Sequence, residues 1–442
     1  MGHGQDGDQT VRERTHASLC YYSYVAEADY NRVYVRGKKK PQIIINECMN
    51  SYDIATDTLT MGGTPIETTY GIVNMYRDEE NATDVDHIEK AFSRLESNAA
   101  RIIQKIDKVV DKGEVSLPRG EVNTLRKFLF LLSYRNNRRS RQFIEENFDE
   151  DTYNVIKEFQ AEHGLKDTKA VWLFNIKNIL DSEHWEIGEN PKVFWVDRTD
   201  YKIEQQAFQM GLFCVPQGFE FIATGSMGLF EGSPILNPIA RMEMDKMFGV
   251  PRWRPGVQPV EPTITLTRSW PLTPRLVVML RHRMLSEEES ELAQGVRPRA
   301  HDLMQSYFHD FPRLSPKVTY NPSLSAATRR MMSGSRTEED DRLRREFAEE
   351  NKLDGKCINS RLKDTLKFPI STLSEDQAAR INVLMLEHCD GVISFIGPSP
   401  LRKSLKRYVE DRRIVIRRNR DTRFKSLDGK LEAEEEEQVA EI

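Results

Sequence analysis

Apolar residues recur at spacings of three and four from Ile88 through Phe92, Leu95, Ala99, Ile102, Ile103 and Ile106 to Val110, the stripe of an amphipathic helix. Thr83 stands where a cap is needed, with Asp86 three residues on, and Gly113 is placed to end the run. A second helix is expected from Ser116-Leu117-Pro118 to about Phe143, on the line Val122, Leu125, Leu129 and Leu132. Further helices are expected over 151–163 and 167–182, and a last one from Ser374, opened by the cap-like SEDQ, to about Cys389. Strands are expected at QIIIN (42–46), TITLT (263–267) and RLVVMLR (275–281), from β-branched runs and alternation. Between 208 and 232 short apolar runs alternate with glycines, which suits strands and tight turns.

These elements predict an α+β chain, mainly helical, with a small central β-sheet. Residues 1–41 form an irregular N-terminal segment. Residues 42–410 form the main domain: helical over 84–190, strand-rich over 191–285 and helical again over 286–410. The Pro-rich stretch 232–262 reads as a surface excursion and 333–352 as a solvated helix or hinge. Residues 411–442 form a basic, then acidic tail. From 402 to 425 eleven basic residues face three acids, whereas 426–442 carry seven acids against Lys430. The acidic end is expected to be disordered.

At 442 residues the chain is long enough to bury a core without disulfide or metal staples. The five cysteines are scattered with no CxxC pair, which argues against a disulfide framework and a structural zinc site. A net charge of -5 excludes a uniformly basic nucleic-acid binder but allows local basic patches. No N-terminal apolar region and no run of about 18 apolar residues is present, so membrane spans are not expected and cytoplasmic residence is. P-loop, HExxH, GxSxG, EF-hand and kinase patterns are missing, the histidines show no metal spacing, and neither a metal nor a cofactor is expected.

Two groups of residues carry candidate chemistry. Glu89 and Glu96 fall together on one edge of the first helix, where partial desolvation raises a carboxylate's pKa and suits it to act as a base. The plainer reading makes them partners in inter-helix salt bridges, and Asp84 and Asp86 helix caps. On the next helix Arg135 and Arg139 continue the apolar line inward. Inward arginines need anions, either Glu89 and Glu96 or a ligand's phosphate or carboxylate. The basic stretch beginning with Arg402, Lys403, Lys406, Arg407, Arg412 and Arg413 is a candidate RNA-phosphate contact, unless the acidic tail folds back on it.

The ordered series TYGIVNMYRD (69–78), VDHIEKAFSRLES (85–97), FLLSYRNNRRSR (130–141), GLFEG (228–232), WPLTPRLVVML (270–280) and FPISTLSEDQAARIN (368–382) resembles the fungal arginine-containing cyclodipeptide synthases, within a broader fungal and bacterial domain family of unknown function. The resemblance implies an aminoacyltransferase that joins arginine, delivered as arginyl-tRNA, to a second aminoacyl group from another tRNA and closes a diketopiperazine. The two tRNA ester bonds supply the energy. The family's DDxxE motif is matched by Asp86 and Glu89, with Val85 in the first acidic position, which makes these two the implied catalytic pair. Glu96, Arg135 and Arg139 become substrate-binding residues, and the arginines and lysines from Arg402 to Arg413 tRNA-binding ones. Ser97, Ser133 and Ser226 stand equal as covalent nucleophiles. An RNA-binding or RNA-processing enzyme, or a non-catalytic protein with structural Glu–Arg pairs, are the alternatives.

Overall fold

The computed structural model describes residues 27–33, 42–65, 75–79, 81, 83–134, 137–225, 228–234, 263–283, 306–319, 362–411 and 419–440. In chain order the elements are β1 (Glu27–Val33), β2 (Gln42–Asp53), β3 (Thr58–Pro65), α1 (His87–Asp107), β4 (Glu114–Pro118), α2 (Arg119–Tyr134), α3 (Asn137–Ile144), α4 (Glu150–Glu162), α5 (Thr168–Asp181) and α6 (Trp195–Ala207). They continue with β5 (Phe208–Cys214), β6 (Ala223–Thr224), β7 (Leu229–Pro234), β8 (Thr263–Thr273), β9 (Leu276–His282), β10 (Lys317–Thr319), β11 (Thr365–Thr372), α7 (Glu375–His388), β12 (Val392–Phe395) and α8 (Pro398–Glu410). A single turn, Arg420–Arg423, leads into α9 (Lys425–Ala440).

The expectation of a mainly helical chain with a small central sheet is corrected. Among the described residues two sheets form, one of five strands (β1-β2-β12-β6, with β3 on β2) and one of seven (β10-β11-β5-β9-β8-β7, with β4 on β11). The larger sheet is antiparallel except where β11 runs parallel to β5. Both of its faces are buried. Alternate residues Met210, Leu212, Cys214, Leu276, Val278 and Leu280 join a core with α1 and α2. Their neighbours Phe213, Val277 and Met279 join a second core with α7, α8, β12 and α9. A strand covered on both faces reads as a continuous apolar run, so RLVVML gives no hint of how many strands lie beside it.

A third core is helical, joining Phe92 of α1 and Tyr134 of α2 to Trp172 and Ile176 of α5. The helix expected over 116–143 is three elements. Val115 and Leu117 alternate inward on β4, and α2 and α3 follow. Gly113, at φ 73°, ends a short 3-10 turn after α1 rather than α1 itself. α7 begins where SEDQ places it, on a full capping box between Ser374 and Gln377. The stretch expected to be strand-rich contains α6, and the last expected helical stretch contains β10, β11 and β12.

The acidic tail is also corrected, from disorder to helix α9. Leu427 and Leu431 are fully buried in the core shared with α7 and α8. The stretches 232–262 and 333–352 lie outside the described residues, apart from Gly232, Ser233 and Pro234 in β7.

Candidate active site

Along α6, Asp197, Asp200, Tyr201 and Glu204 fall on one face, by the helical spacings of three, four and seven. Two arginines from distant elements meet this face. Arg139 of α3 reaches Asp197 at 3.2 Å, with its guanidinium 5.3 Å over the Tyr134 ring and 5.4 Å over that of Phe143. Arg268 of β8 donates to Glu204 at 2.8 Å and to Asp200, and lies 5.4 Å and 5.2 Å from the rings of Phe208 and Phe230. Arg126 of α2 fastens the end of the helix by donating to the carbonyls of Glu204 and Phe208. Asn175 of α5 donates to Tyr134 Oη and to Asp197, each at 2.8 Å, and accepts the Phe194 N–H.

Burial decides the electrostatics. Glu204, Arg268 and Asp197 are 1%, 3% and 5% exposed, whereas the Asp200 side chain is 43% exposed and opens the network to solvent. Desolvation lifts the Glu204 carboxyl to about 7 against the pull of Arg268 and Arg126, and that of Asp197 to about 6 against the pull of Arg139. For Arg268 burial works against the charge, but Asp200 and Glu204 outweigh it and hold the guanidinium above its ordinary value. The cluster therefore combines fixed cations with carboxyls that exchange a proton near neutrality, the property asked of a general base.

A further contact joins α2 to the same strand of the large sheet. Trp270 Nε1, on the same strand face as Arg268, donates to Ser133 Oγ at 2.9 Å. Gly228 lies directly against this pair: a Cβ there would stand 2.6 Å from the indole nitrogen and 3.0 Å from the hydroxyl oxygen. A side chain is excluded at that position by contact alone.

The residues singled out from the sequence are dispersed. Arg139 is in the network. Glu96 is buried on α1, one turn after Phe92 of the helical core and one turn before Ala99 of the sheet core; Glu89 is half-buried two turns earlier. Asp86, rather than Thr83, occupies the N-cap position of α1; it is exposed and its side chain makes no capping bond. Asp84 pairs with Lys90 at 2.8 Å, which holds its carboxyl below the ordinary range. Arg135, Arg412, Arg413 and Ser226 lie outside the described residues. Ser97 is exposed on α1.

The basic face of α8 is met by acids. Arg402 pairs with Asp428, Glu432 and Glu435 of α9 at 3.1, 3.0 and 2.6 Å, so the acidic tail folds back on this part of it. Lys403 pairs with Glu375, and Arg407 with Asp376 and Asp411, while Lys406 is exposed. Asp197, Asp200, Glu204, Asn175, Arg268 and Trp270 escaped sequence reasoning. The available signal was the carboxylate spacing on 195–207, a segment whose buried face is polar.

A family model described as "Protein of unknown function (DUF4238)" matches residues 40–222. Kinship with a family of unknown function, the broader part of the resemblance, is thus supported over this stretch. The match takes in α1 to α6 and β5 and ends before Gly228, Arg268 and Trp270. No curated protein and no solved structure matches the chain. Among the described residues no helix is long and apolar enough to cross a membrane.

Proposed function

We propose that this chain is an aminoacyl-tRNA-dependent cyclodipeptide synthase that joins arginine to a second amino acid. The observation that carries the reading is a convergence. Three of the six ordered motifs, FLLSYRNNRRSR, GLFEG and WPLTPRLVVML, meet at Ser133, Gly228 and Trp270, two residues along β8 from the Arg268 that pairs with the α6 carboxylates. Motifs brought together across 137 residues of sequence, next along a strand to a buried acid–arginine network, support the reading of a catalytic centre there.

In this reading the α-amine of one aminoacyl-tRNA attacks the ester carbonyl of the other. A C–N bond forms, the C–O bond to the ribose breaks, and the ribose oxygen leaves with a proton. The second amine repeats the step within the dipeptide and closes the ring. The attacking nitrogen must first lose a proton, which the solvent-facing Asp200 accepts in concert with Glu204 behind it. Asp86 and Glu89, toward the outer end of α1, bind the substrate guanidinium. Arg139, committed to Asp197 and stacked on two rings, is a positioning residue. Lys406, exposed on α8, contacts the tRNA backbone.

The test is mass spectrometry of small molecules from a heterologous host expressing the chain, its Asp200→Asn variant and its Glu89→Gln variant. A cyclo-arginyl dipeptide is expected from the parent and lost from both variants while each remains folded. Absence of any diketopiperazine from soluble, folded parent protein overturns the reading.

A further inference from the structure

Helix α9 is fastened most firmly at its first turns. There Ser426 donates to Asp57 of the β2–β3 turn at 2.9 Å, Lys430 pairs with the same carboxylate at 2.9 Å, and Leu427 and Leu431 are fully buried. From 432 to 437 no residue is buried, and five of the six are glutamates. Glu432 and Glu435 from this half, with Asp428 before it, ring Arg402 of α8. The three guanidinium nitrogens meet three different carboxylates, at 3.1 Å for Asp428, 3.0 Å for Glu432 and 2.6 Å for Glu435.

The face of α8 that α9 meets is cationic for a positional reason. At about 100° per residue the four buried residues from Leu401 to Tyr408 share one arc, and Arg402, Lys403, Lys406 and Arg407 share the opposite one. Lys403 and Arg407 lean toward Glu375 and Asp376 at the start of α7, and Lys406 stands exposed one turn beyond Arg402. The α9 carboxylates thus close one side of a cationic strip. Asp428, Glu432 and Glu435 are spaced by four and three residues, a line of charge about 10 Å long at the helical rise. A line of anions along a rod is how a nucleic-acid backbone presents itself, whereas an anionic bilayer presents a plane.

We infer that the outer face of α8 binds an RNA backbone and that the second half of α9 occupies this face in the RNA's place, so that RNA enters by displacing Glu432 and Glu435 from Arg402. The displaced pairs are solvent-screened and individually weak, which suits a contact that has to open. The leucines and Asp57 keep the released segment tethered. That the polyanion is RNA rests on the function proposed above; the occupation of α8 by α9 does not.

Fluorescence anisotropy at low salt, with a labelled RNA minihelix ending in CCA, compares the full chain with Glu432→Gln/Glu435→Gln and with Glu436→Gln/Glu437→Gln. Each double variant loses two charges from the same helix, but only the first pair meets Arg402. The first should bind the RNA about fivefold to tenfold more tightly than the parent, through release of two screened ion pairs, and the second should gain less than about twofold. Adding Arg402→Gln to the first variant should remove its gain. No gain in the first variant, an equal gain in both, or a gain that survives Arg402→Gln overturns the inference. So does a first variant that gains affinity for phosphatidylserine vesicles and none for RNA. An RNA gain in a chain that makes no diketopiperazine keeps the inference and counts against the synthase reading; a chain that makes the diketopiperazine and shows no RNA gain does the reverse.

Discussion

Glu204→Gln isolates the energetics of the α6 network. The wild-type carboxyl is raised from its ordinary 4.5 to about 7 by burial, so the folded protein holds a proton that the unfolded chain has released. Between those two values the native state binds more protons than the unfolded one, and stability falls as pH rises. Integrating from pH 5 to pH 8 gives a loss on the order of 2–3 kcal/mol attributable to this one group. Glutamine keeps the shape and cannot ionise, so this part of the pH dependence vanishes in the variant. Asp197 and Glu220, raised to about 6 and about 7, slope the same way in both proteins and cancel in the comparison. Urea unfolding at pH 5 and pH 8 measures the difference. Glu204→Gln should gain on the order of 2–3 kcal/mol on wild type between the two conditions. If instead the variant loses ground at pH 8, the ionised Glu204–Arg268 pair is a net stabiliser and the argument from burial fails.

Other outcomes follow from neighbouring contacts. Gly228→Ala forces its Cβ into Trp270 and Ser133 and should destabilise by about 2–3 kcal/mol in urea, whereas Ser133→Ala removes one hydrogen bond and costs about 1 kcal/mol. Asn175→Ala leaves the Phe194 N–H without its acceptor and removes a donor from Asp197, so it should cost about 3 kcal/mol, and the Asp197 titration followed by NMR should move upward from about 6. Leu431→Ala should release α9 to limited proteolysis, at a cost of about 2–5 kcal/mol. Arg402→Ala, despite three acidic partners, should cost less than about 1 kcal/mol, because those pairs are solvent-screened.

What could be read from the sequence depended on where burial coincides with apolarity. α1 announces itself because its inward positions, from Ile88 to Ile106, are aliphatic or aromatic apart from Glu96. α7 announces itself through a local bond between Ser374 and Gln377 that needs no tertiary partner. α6 fails the same test, since its buried residues are Asp197, Tyr201 and Glu204, and a search for an apolar stripe passes over them. Arg139 was legible as an inward arginine, but its partner lies 58 residues away on that unread helix. Strand β11 alternates Leu366, Phe368 and Ile370 inward and was open to period-two reading. α9 is the reverse case: a run of glutamates hides two leucines, Leu427 and Leu431, four residues apart, and those two positions dock the helix.

The parallel pairing of β11 with β5 has a consequence for how the chain comes into being. Both neighbours of β5 in the large sheet, β9 and β11, are made after it, and β11 follows it by about 150 residues. At ribosomal speeds of about 5–20 residues per second, β5 emerges with both edges unpaired and waits on the order of 10–30 seconds for its second partner. The stretch matched by the family model ends at residue 222, just beyond β5, so expressed alone it carries an apolar strand with neither edge covered. Fragments cut there are expected to aggregate, and the newborn chain is a natural client for a chaperone that shields strand edges until residue 372 has left the ribosome.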